Sequence, residues 1–328
     1  MTGGWAGARV ATMIETHNNP QGREPGPERS YALGGQVVAA GPIAPGLHIV
    51  ATPIGNLGDV TLRALATLAA VDVIACEDTR VTRKLLDRFA IATPLTPYHD
   101  HNAATVRPKL LRRLAEGAAI ALVSDAGTPL ISDPGYKLVR AAQDAGYNVT
   151  ALPGPSSVLA ALTVAGLPTD QFVFAGFLPP KSAARRARIR ELGRIPATLV
   201  LFESGPRLAT TLADLASELG GREAAICREL TKMHEEVRRG PLATLAQASA
   251  AGETRGEFVL VIAPPHQEQR PSAEDADALL RQALARASLK DAVGEVAAAT
   301  GLPRRELYQR ALTLSDKTDP ETRNAAPR

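Results

Sequence analysis

A chain of 328 residues, 45% hydrophobic and 22% charged, is long enough for two hydrophobic cores or more. Its net charge of +3 permits an acidic partner without requiring one. No apolar run reaches the ~20 residues of a membrane span, and the first residues lack the basic and apolar regions of a signal peptide, so a cytoplasmic protein without membrane contact is expected.

Residues 1 to about 46 are rich in Gly, Pro, Asn and Arg without a sustained apolar period, which predicts a disordered extension. The first strand spans 47–51 and ends in Thr52-Pro53-Ile54-Gly55-Asn56-Leu57-Gly58-Asp59. A helix follows with Leu62, Leu65, Ala66 and Ala69 on one face, then a strand over 71–76 that runs into Glu77-Asp78-Thr79-Arg80. With Gly55 and Gly58 in its first turn and an acid about 20 residues on, this βαβ unit partly imitates a dinucleotide fingerprint and suggests a nucleotide-like ligand.

Cys76 and Cys227 are the only cysteines, each in an apolar run. Two separated buried thiols fit a reducing compartment and give neither a disulfide framework nor a zinc site. After a short helix around Lys84, Leu85 and Leu86 comes Tyr98-His99-Asp100-His101-Asn102. Two histidines around an aspartate suit a metal or acid–base work, but caps before a helix use the same residues, and no metal site is assigned.

The apolar run at 119–123 predicts a buried parallel strand, and Leu138, Val139 and Ala142 a following helix. Between them lies Ser124-Asp125-Ala126-Gly127-Thr128-Pro129-Leu130-Ile131-Ser132-Asp133-Pro134-Gly135, at the strand's carboxyl end, where open α/β sheets place their ligands. Gly127 and Gly135 permit positive φ or close approach of a ligand, while Pro129 and Pro134 stiffen the path. A tight turn draws on the same residue types. A strand at 148–152 then leads into Pro153-Gly154-Pro155-Ser156-Ser157 and a helix of small residues. The N–H groups and hydroxyls at that helix start suit a carboxylate or ribose, or form a plain N-cap.

Strands at 171–178, 198–202, 224–227 and 258–262 predict a second α/β domain. Lys181, Arg185, Arg186, Arg188, Arg190 and Arg194 follow the first of these with only Glu191 against them, which favours a phosphate-facing surface over a solvated face. The next two strands end in Glu203-Ser204-Gly205-Pro206-Arg207 and Arg228-Glu229-Leu230-Thr231-Lys232-Met233-His234-Glu235. Beyond a polar linker, Ser272 with Asp275 suggests a helix cap, and Ala276, Leu279, Leu280, Ala283, Leu284 and Ala287 a helical stripe. Two short helices flank Gly301-Leu302-Pro303, the last carrying Arg304, Arg305, Gln309 and Arg310; the spacing resembles a helix-turn-helix, although small bundles use the same turn.

Six motifs, T-P-I-G-N-L-G-D, C-E-D-T-R, S-D-A-G-T-P-L-I-S-D-P-G, P-G-P-S, F-E-S and R-E-L-T-K, resemble in kind and order those of the ribosomal small-subunit RNA methyltransferase I family, a branch of the tetrapyrrole methylase superfamily. The resemblance covers about residues 47–315. It implies an α/β, tetrapyrrole-methylase-like fold: an extension (1–46), two α/β domains (47–163 and 164–266) with the cofactor cleft between them, and a small C-terminal helical, helix-turn-helix-like domain (272–316). It also implies S-adenosyl-L-methionine as cofactor, a homodimer, 16S rRNA in the small ribosomal subunit as partner, and 2′-O-methylation of a cytidine ribose in the decoding region.

On that resemblance the expected cofactor contacts are Pro53, Gly55, Asp125, Ala126, Gly127, Thr128, Ile131, Ser156, Ser157 and Phe202, and the expected RNA contacts are Lys181, Arg185, Arg186, Arg188, Arg304 and Arg305. Asp125, Glu203, Glu229 and Lys232 are the catalytic candidates. Lys232 would ease formation of an alkoxide, or would merely pair with Glu229 or Glu235. A methyltransferase of the same fold acting on a tetrapyrrole or a modified protein side chain gives the basic stretch no role, and a non-enzymatic nucleic-acid-binding regulator has no use for the S-D-A-G loop.

Overall fold

The computed structural model describes residues 29–250, 255–265 and 273–316. They form two compact units: the described residues up to Pro53 with Leu57–Pro155, and Ile54–Asn56 with the described residues from Ser156 onward.

The first unit opens with an antiparallel hairpin, β1 (Ser30–Leu33) and β2 (Gln36–Ala39). Leu33 pairs with Gln36 across Gly34-Gly35, both at positive φ (58° and 81°), the two-residue turn whose twist suits a hairpin. Tyr31 is buried in the unit's core, Ala32 N donates to Phe89 O at 2.7 Å, and Arg29 pairs with Asp72 at 2.7 Å. The expected disordered extension is therefore corrected for 29–46; residues 1–28 lie outside the described residues.

Five parallel strands follow, β3 (Gly46–Val50), β4 (Val73–Cys76), β5 (Leu95–Pro97), β6 (Ala119–Leu122) and β7 (Val149–Leu152), in the order β5-β4-β6-β3-β7. The helices are α1 (Leu62–Ala70), α2 (Thr79–Arg88), α3 (Ala103–Ala115) and α4 (Tyr136–Asp144). Covering both faces explains why the central strands read as unbroken apolar runs. Ile74 and Cys76 of β4 and Ala119 and Ala121 of β6 face one core with residues of α1 and α2, while Val73, Ala75, Ile120 and Leu122 face another with residues of α3 and α4. Buried on both sides, such strands carry polar function only at their ends.

The second unit begins with α5 (Ser157–Ala165), then β8 (Phe172–Phe177), α6 (Ser182–Leu192), β9 (Thr198–Ser204), α7 (Gly205–Leu219), β10 (Glu223–Arg228), β11 (Glu236–Pro241), α8 (Leu242–Ser249) and β12 (Glu257–Ile262). The sheet runs β11-β10-β12-β9-β8; β8 and β9 are parallel and the other pairs antiparallel. The expected boundary at 163 is displaced, because Val158, Ala161, Leu162 and Ala165 of α5 share a core with Val200, Ala225, Cys227 and Val259, and Arg239 Nε donates to Ala165 O at 3.1 Å. In the same unit α9 (Ala273–Leu284), α10 (Leu289–Thr300) and α11 (Arg304–Asp316) close a core of their own around Leu280, Val293, Val296 and Leu307. Ser288 caps α10 and Gly301 ends it at φ 67°. The expected Ser272–Asp275 cap lies outside the described residues. Among the described residues no helix is long and apolar enough to cross a membrane.

The hairpin's contribution is measurable. Tyr31→Ala empties a buried ring site and should cost about 3 kcal/mol in denaturant unfolding; an unchanged midpoint and slope would mean that the hairpin adds nothing to the first core.

Candidate active-site loops

The carboxyl ends of β3 and β6 are tied together immediately beyond the sheet. Thr52 N donates to Gly127 O and Gly127 N to Thr52 O, both at 2.9 Å, an isolated antiparallel bridge. Thr52 Oγ1 donates to Ser124 O at 3.2 Å, and Ser124 Oγ reaches Ala126 O and Gly127 O at 3.3 Å each. Gly127 meets this geometry at φ 81°, a conformation that a Cβ opposes. Leu130 (74°) and Ser132 (63°) adopt positive φ in the same loop without being glycine, the kind of backbone strain that gathers at binding sites.

Neighbouring strand ends complete the cluster. Asp125 Oδ1 accepts from Asp78 N at 3.0 Å, joining the β6 loop to the start of α2, where Asp78 caps Arg80 N at 2.8 Å. Hydrogen bonds from Arg80 hold Asp78 down to about 2. Thr128 Oγ1 donates to Pro155 O at 3.1 Å, and a Cβ on Gly154 would stand 2.9 Å from Ala51 Cβ, so the turn after β7 lies against the end of β3. Ala126 and Ile131 are exposed and Pro53 half-buried. Burial raises Asp133 to about 6, with the charges of Glu77 and Asp125 adding to it, and also raises Glu77.

The His99 and His101 rings meet edge to face at 5.9 Å. Asn102 Oδ1 accepts from His99 N at 2.9 Å and its amide donates to Pro97 O at 3.0 Å, which makes this stretch the turn into α3. Among the described residues no group of three or more His, Cys, Asp or Glu side chains could hold a metal ion. Cys76 and Cys227 are buried, and burial pushes the Cys227 thiol up to about 11.

The remaining expected contacts fall in the second unit. Phe202 packs edge to face with Phe174 (4.8 Å) and Phe177 (5.6 Å). Ser156 caps α5 by accepting from Leu159 N, and Ser157 is its first residue. Glu203 is enclosed: Oε2 accepts from Thr211 Oγ1 at 2.6 Å, Oε1 accepts from Ser204 N at 2.8 Å, and Arg207 stands 3.3 Å away. Both oxygens thus tie the end of β9 to α7, and Glu203 lies away from solvent at 2% exposure.

Glu229 and Lys232 form a different arrangement. Lys232 Nζ reaches Glu229 Oε1 at 3.1 Å and Glu257 Oε2 at 2.8 Å, while Glu229 Oε1 also accepts from Glu257 N at 2.9 Å. Glu235, an expected partner of Lys232, instead accepts from Thr231 N at 2.6 Å. The Lys232 stem crosses Gly55, where a Cβ would overlap Lys232 Cγ and stand 3.0 Å from Cε and 3.1 Å from Thr231 Oγ1. Thr231 Oγ1 is buried without a hydrogen-bond partner among the described residues, and Glu229 and Thr231 sit at φ 49° and 66°. Thr231 is the threonine of the R-E-L-T-K motif, but its charged neighbours Glu229 and Lys232 drew the expected chemistry from sequence alone.

The basic stretch is far less free than its sequence suggests. Arg185 is buried and pairs with Asp214 at 2.7 Å; Arg186 and Arg190 both pair with Glu218, at 2.5 and 3.0 Å, and Arg188 pairs with Glu191 at 2.6 Å. Asp214 and Glu218 come from α7, which packs beside α6. The expected single-sign surface is corrected accordingly, with Lys181 at the N-cap of α6 and Arg194 beyond its end both exposed.

A parallel sheet with loops gathered at its strand ends, followed by a mixed sheet, has known counterparts. Residues 46–246 match the Tetrapyrrole (Corrin/Porphyrin) Methylases family and residues 270–315 the RsmI C-terminal HTH domain. Diphthine synthase shares the fold, with a TM-score of 0.54 at 16% identity over 66% of this chain and 89% of that one. The protein is thus a methyltransferase of the tetrapyrrole-methylase fold. Ribosomal RNA small subunit methyltransferase I of Mesorhizobium japonicum is 51% identical over 87% of this chain and 97% of its own, and that of Erythrobacter litoralis 52% identical over 84% and 98%. This chain belongs to the ribosomal RNA small subunit methyltransferase I family.

Two measurements test the local geometry. Gly55→Ala should lower stability by about 1–3 kcal/mol through overpacking, and most of that loss should vanish in a Lys232→Ala background, since the colliding stem is gone; additive effects in the double-mutant cycle would refute the contact. Asp133, raised from 3.8 to about 6, contributes stability below pH 3.8 and loses it as pH rises through about 6. Asp133→Asn should therefore flatten the fall of unfolding free energy across that window and be the more stable protein above it; identical pH slopes would show a solvated carboxyl.

Proposed function

We propose that this protein transfers a methyl group from S-adenosylmethionine to the ribose 2′-hydroxyl of a cytidine in the decoding region of 16S rRNA. The observation that carries the reading is the identity of 51 and 52% over nearly the whole of relatives named for small-subunit ribosomal RNA. The likeness to diphthine synthase is one of fold alone, and a tetrapyrrole or modified side chain as substrate gains no support beyond it.

The chain's own donors fit such a cofactor. The Thr52–Gly127 bridge holds the small residues Ala126 and Gly127 at the strand end with Ala126 exposed, which suits close approach of a nucleoside. Pro53, Asp125, Ala126, Gly127, Thr128 and Ile131 are its proposed contacts in the first unit. Gly55, Ser156, Ser157 and Phe202 of the second unit remain proposed contacts, and the orphaned Thr231 hydroxyl beside Gly55 joins them as a buried group in want of a partner. When bound, the cofactor supplies a methyl group already activated on a cationic sulfur.

The protein must still hold the accepting hydroxyl in line and take its proton. Asp125 suits proton removal, because Oδ1 is fixed by Asp78 N, which orients the carboxylate and leaves Oδ2 to accept. Glu203, with both oxygens engaged, is proposed as support for α7. Lys232 and Glu229 are proposed as positioning residues that keep Gly55 and its neighbours in place, since Lys232 Nζ is held between two carboxylates. A homodimer is part of the proposal.

Purified protein, labelled cofactor and small subunits from a strain lacking the enzyme should give one ribose-methylated cytidine, located by mass mapping of the RNA; methylation of a base or of protein would overturn the reading. In single-turnover assays at saturating cofactor Asp125→Asn should slow methyl transfer by about 10²-fold or more. A wild-type rate would remove Asp125 from proton transfer.

A further inference from the structure

The C-terminal helices carry a groove that the methyl-transfer site does not use. It is lined by Lys290, Val293 and Gly294 of α10 and by Arg304, Arg305, Tyr308 and Gln309 of α11. Its lining includes three cationic side chains and no carboxylate. Two other arginines of this region are paired with carboxylates: Arg286 with Glu295, and Arg310 with Asp277 and Glu306. Lys290, Arg304 and Arg305 are exposed and have no ion pair among the described residues.

Gly294 supplies an independent observation. It lies in the middle of α10, where glycine weakens a helix relative to alanine. Neither backbone nor packing calls for it: its φ is not positive, and a Cβ there would meet nothing within 4 Å. The missing side chain leaves open space on the α10 side of the groove, its floor, which Tyr308, a ring 47% exposed, also lines from α11.

We propose that this groove binds single-stranded RNA, with one unpaired base stacked on Tyr308 over the Gly294 floor and the flanking phosphates on Lys290, Arg304 and Arg305. An exposed aromatic between unpaired cations is what sequence-tolerant recognition of unstacked bases requires. A duplex offers phosphates to the cations but no free base face to the ring. The inference rests on the ribosomal RNA reading and adds to it a second RNA contact away from the strand-end loops.

The test uses the full chain and a fluorescein-labelled single-stranded oligoribonucleotide of about twelve nucleotides, with a DNA duplex of equal length as competitor. Gly294→Leu fills the floor without altering charge and favours the helix, so it should fold with native circular dichroism, yet bind the RNA about fivefold or more weakly. Tyr308→Ala should show a similar loss. The triple change Lys290→Ala, Arg304→Ala, Arg305→Ala should flatten the logarithmic salt slope by about 2. Wild-type affinity in folded Gly294→Leu, or competition by the duplex as effective as by unlabelled RNA, overturns the proposal. Methylation of small subunits by the wild type is scored separately: if it occurs while the groove variants bind RNA normally, the groove inference fails alone, and if the wild type methylates no subunit, the activity reading fails.

Discussion

The first unit depends on a backbone requirement: every buried N–H and C=O must find a partner even where the sheet stops. β3 and β6 lie side by side, and beyond their last ladder bonds the reciprocal pair between Thr52 and Gly127 continues the satisfaction of the backbone. A bridge of that kind fixes the separation and direction of two loops at once. Ser124 tightens it from within by bonding to Ala126 O and Gly127 O, and Asp125, next in the chain, is aimed by Asp78 N. The proposed catalytic carboxylate is thus oriented by main-chain geometry on rigid strand ends, which is how a site is held to the tolerance that in-line transfer needs.

In the second unit a different constraint does the corresponding work. Ile54–Asn56 leave the sequence neighbourhood of the first unit and pack with the second, Ile54 against the core that holds Leu230 and Cys227. So short an excursion can be secured only by close approach, and the Lys232 stem lying across Gly55 is that approach. The two carboxylates on Nζ hold the end of that stem, and the loop that carries it includes left-handed backbone at Glu229 and Thr231. A catalytic lysine would need its ammonium free to face a developing charge, so the double pairing argues for a structural tether.

The centre of the parallel sheet was legible from sequence because β3, β4 and β6, buried on both faces, had to be continuous apolar runs. Edge elements were harder to see. β5 is three residues long, and β11, Glu-Val-Arg-Arg-Gly-Pro, lies at the sheet edge with charged side chains and lacks the pattern of a core strand. The hairpin at 30–39 did carry a signal, Gly34-Gly35 between apolar residues, which the surrounding Gly- and Pro-rich composition obscured. In the site, the S-D-A-G loop could be located by its position after β6, but the role of Glu203 could not, because Thr211, which binds it, lies eight residues away on the next helix.

Charge shows most clearly where local reading fails. In α6 the arginines looked unopposed because sequence neighbours were the only partners in view, whereas packing against α7 brings Asp214 and Glu218 to them. An arginine paired with a carboxylate can bind phosphate only by giving up that partner, and the buried Arg185–Asp214 pair would also have to be exposed, which is costly. Lys290, Arg304 and Arg305 face no such competition, since the neighbouring acids Glu295 and Glu306 are engaged by Arg286 and Arg310. Counting cations per segment therefore ranks α6 above the C-terminal helices as a phosphate surface, and counting unpaired cations reverses the order. With a net charge of only +3, long-range attraction to RNA is weak, so affinity depends on cations held close to the phosphates without a competing carboxylate, as Lys290, Arg304 and Arg305 are among the described residues.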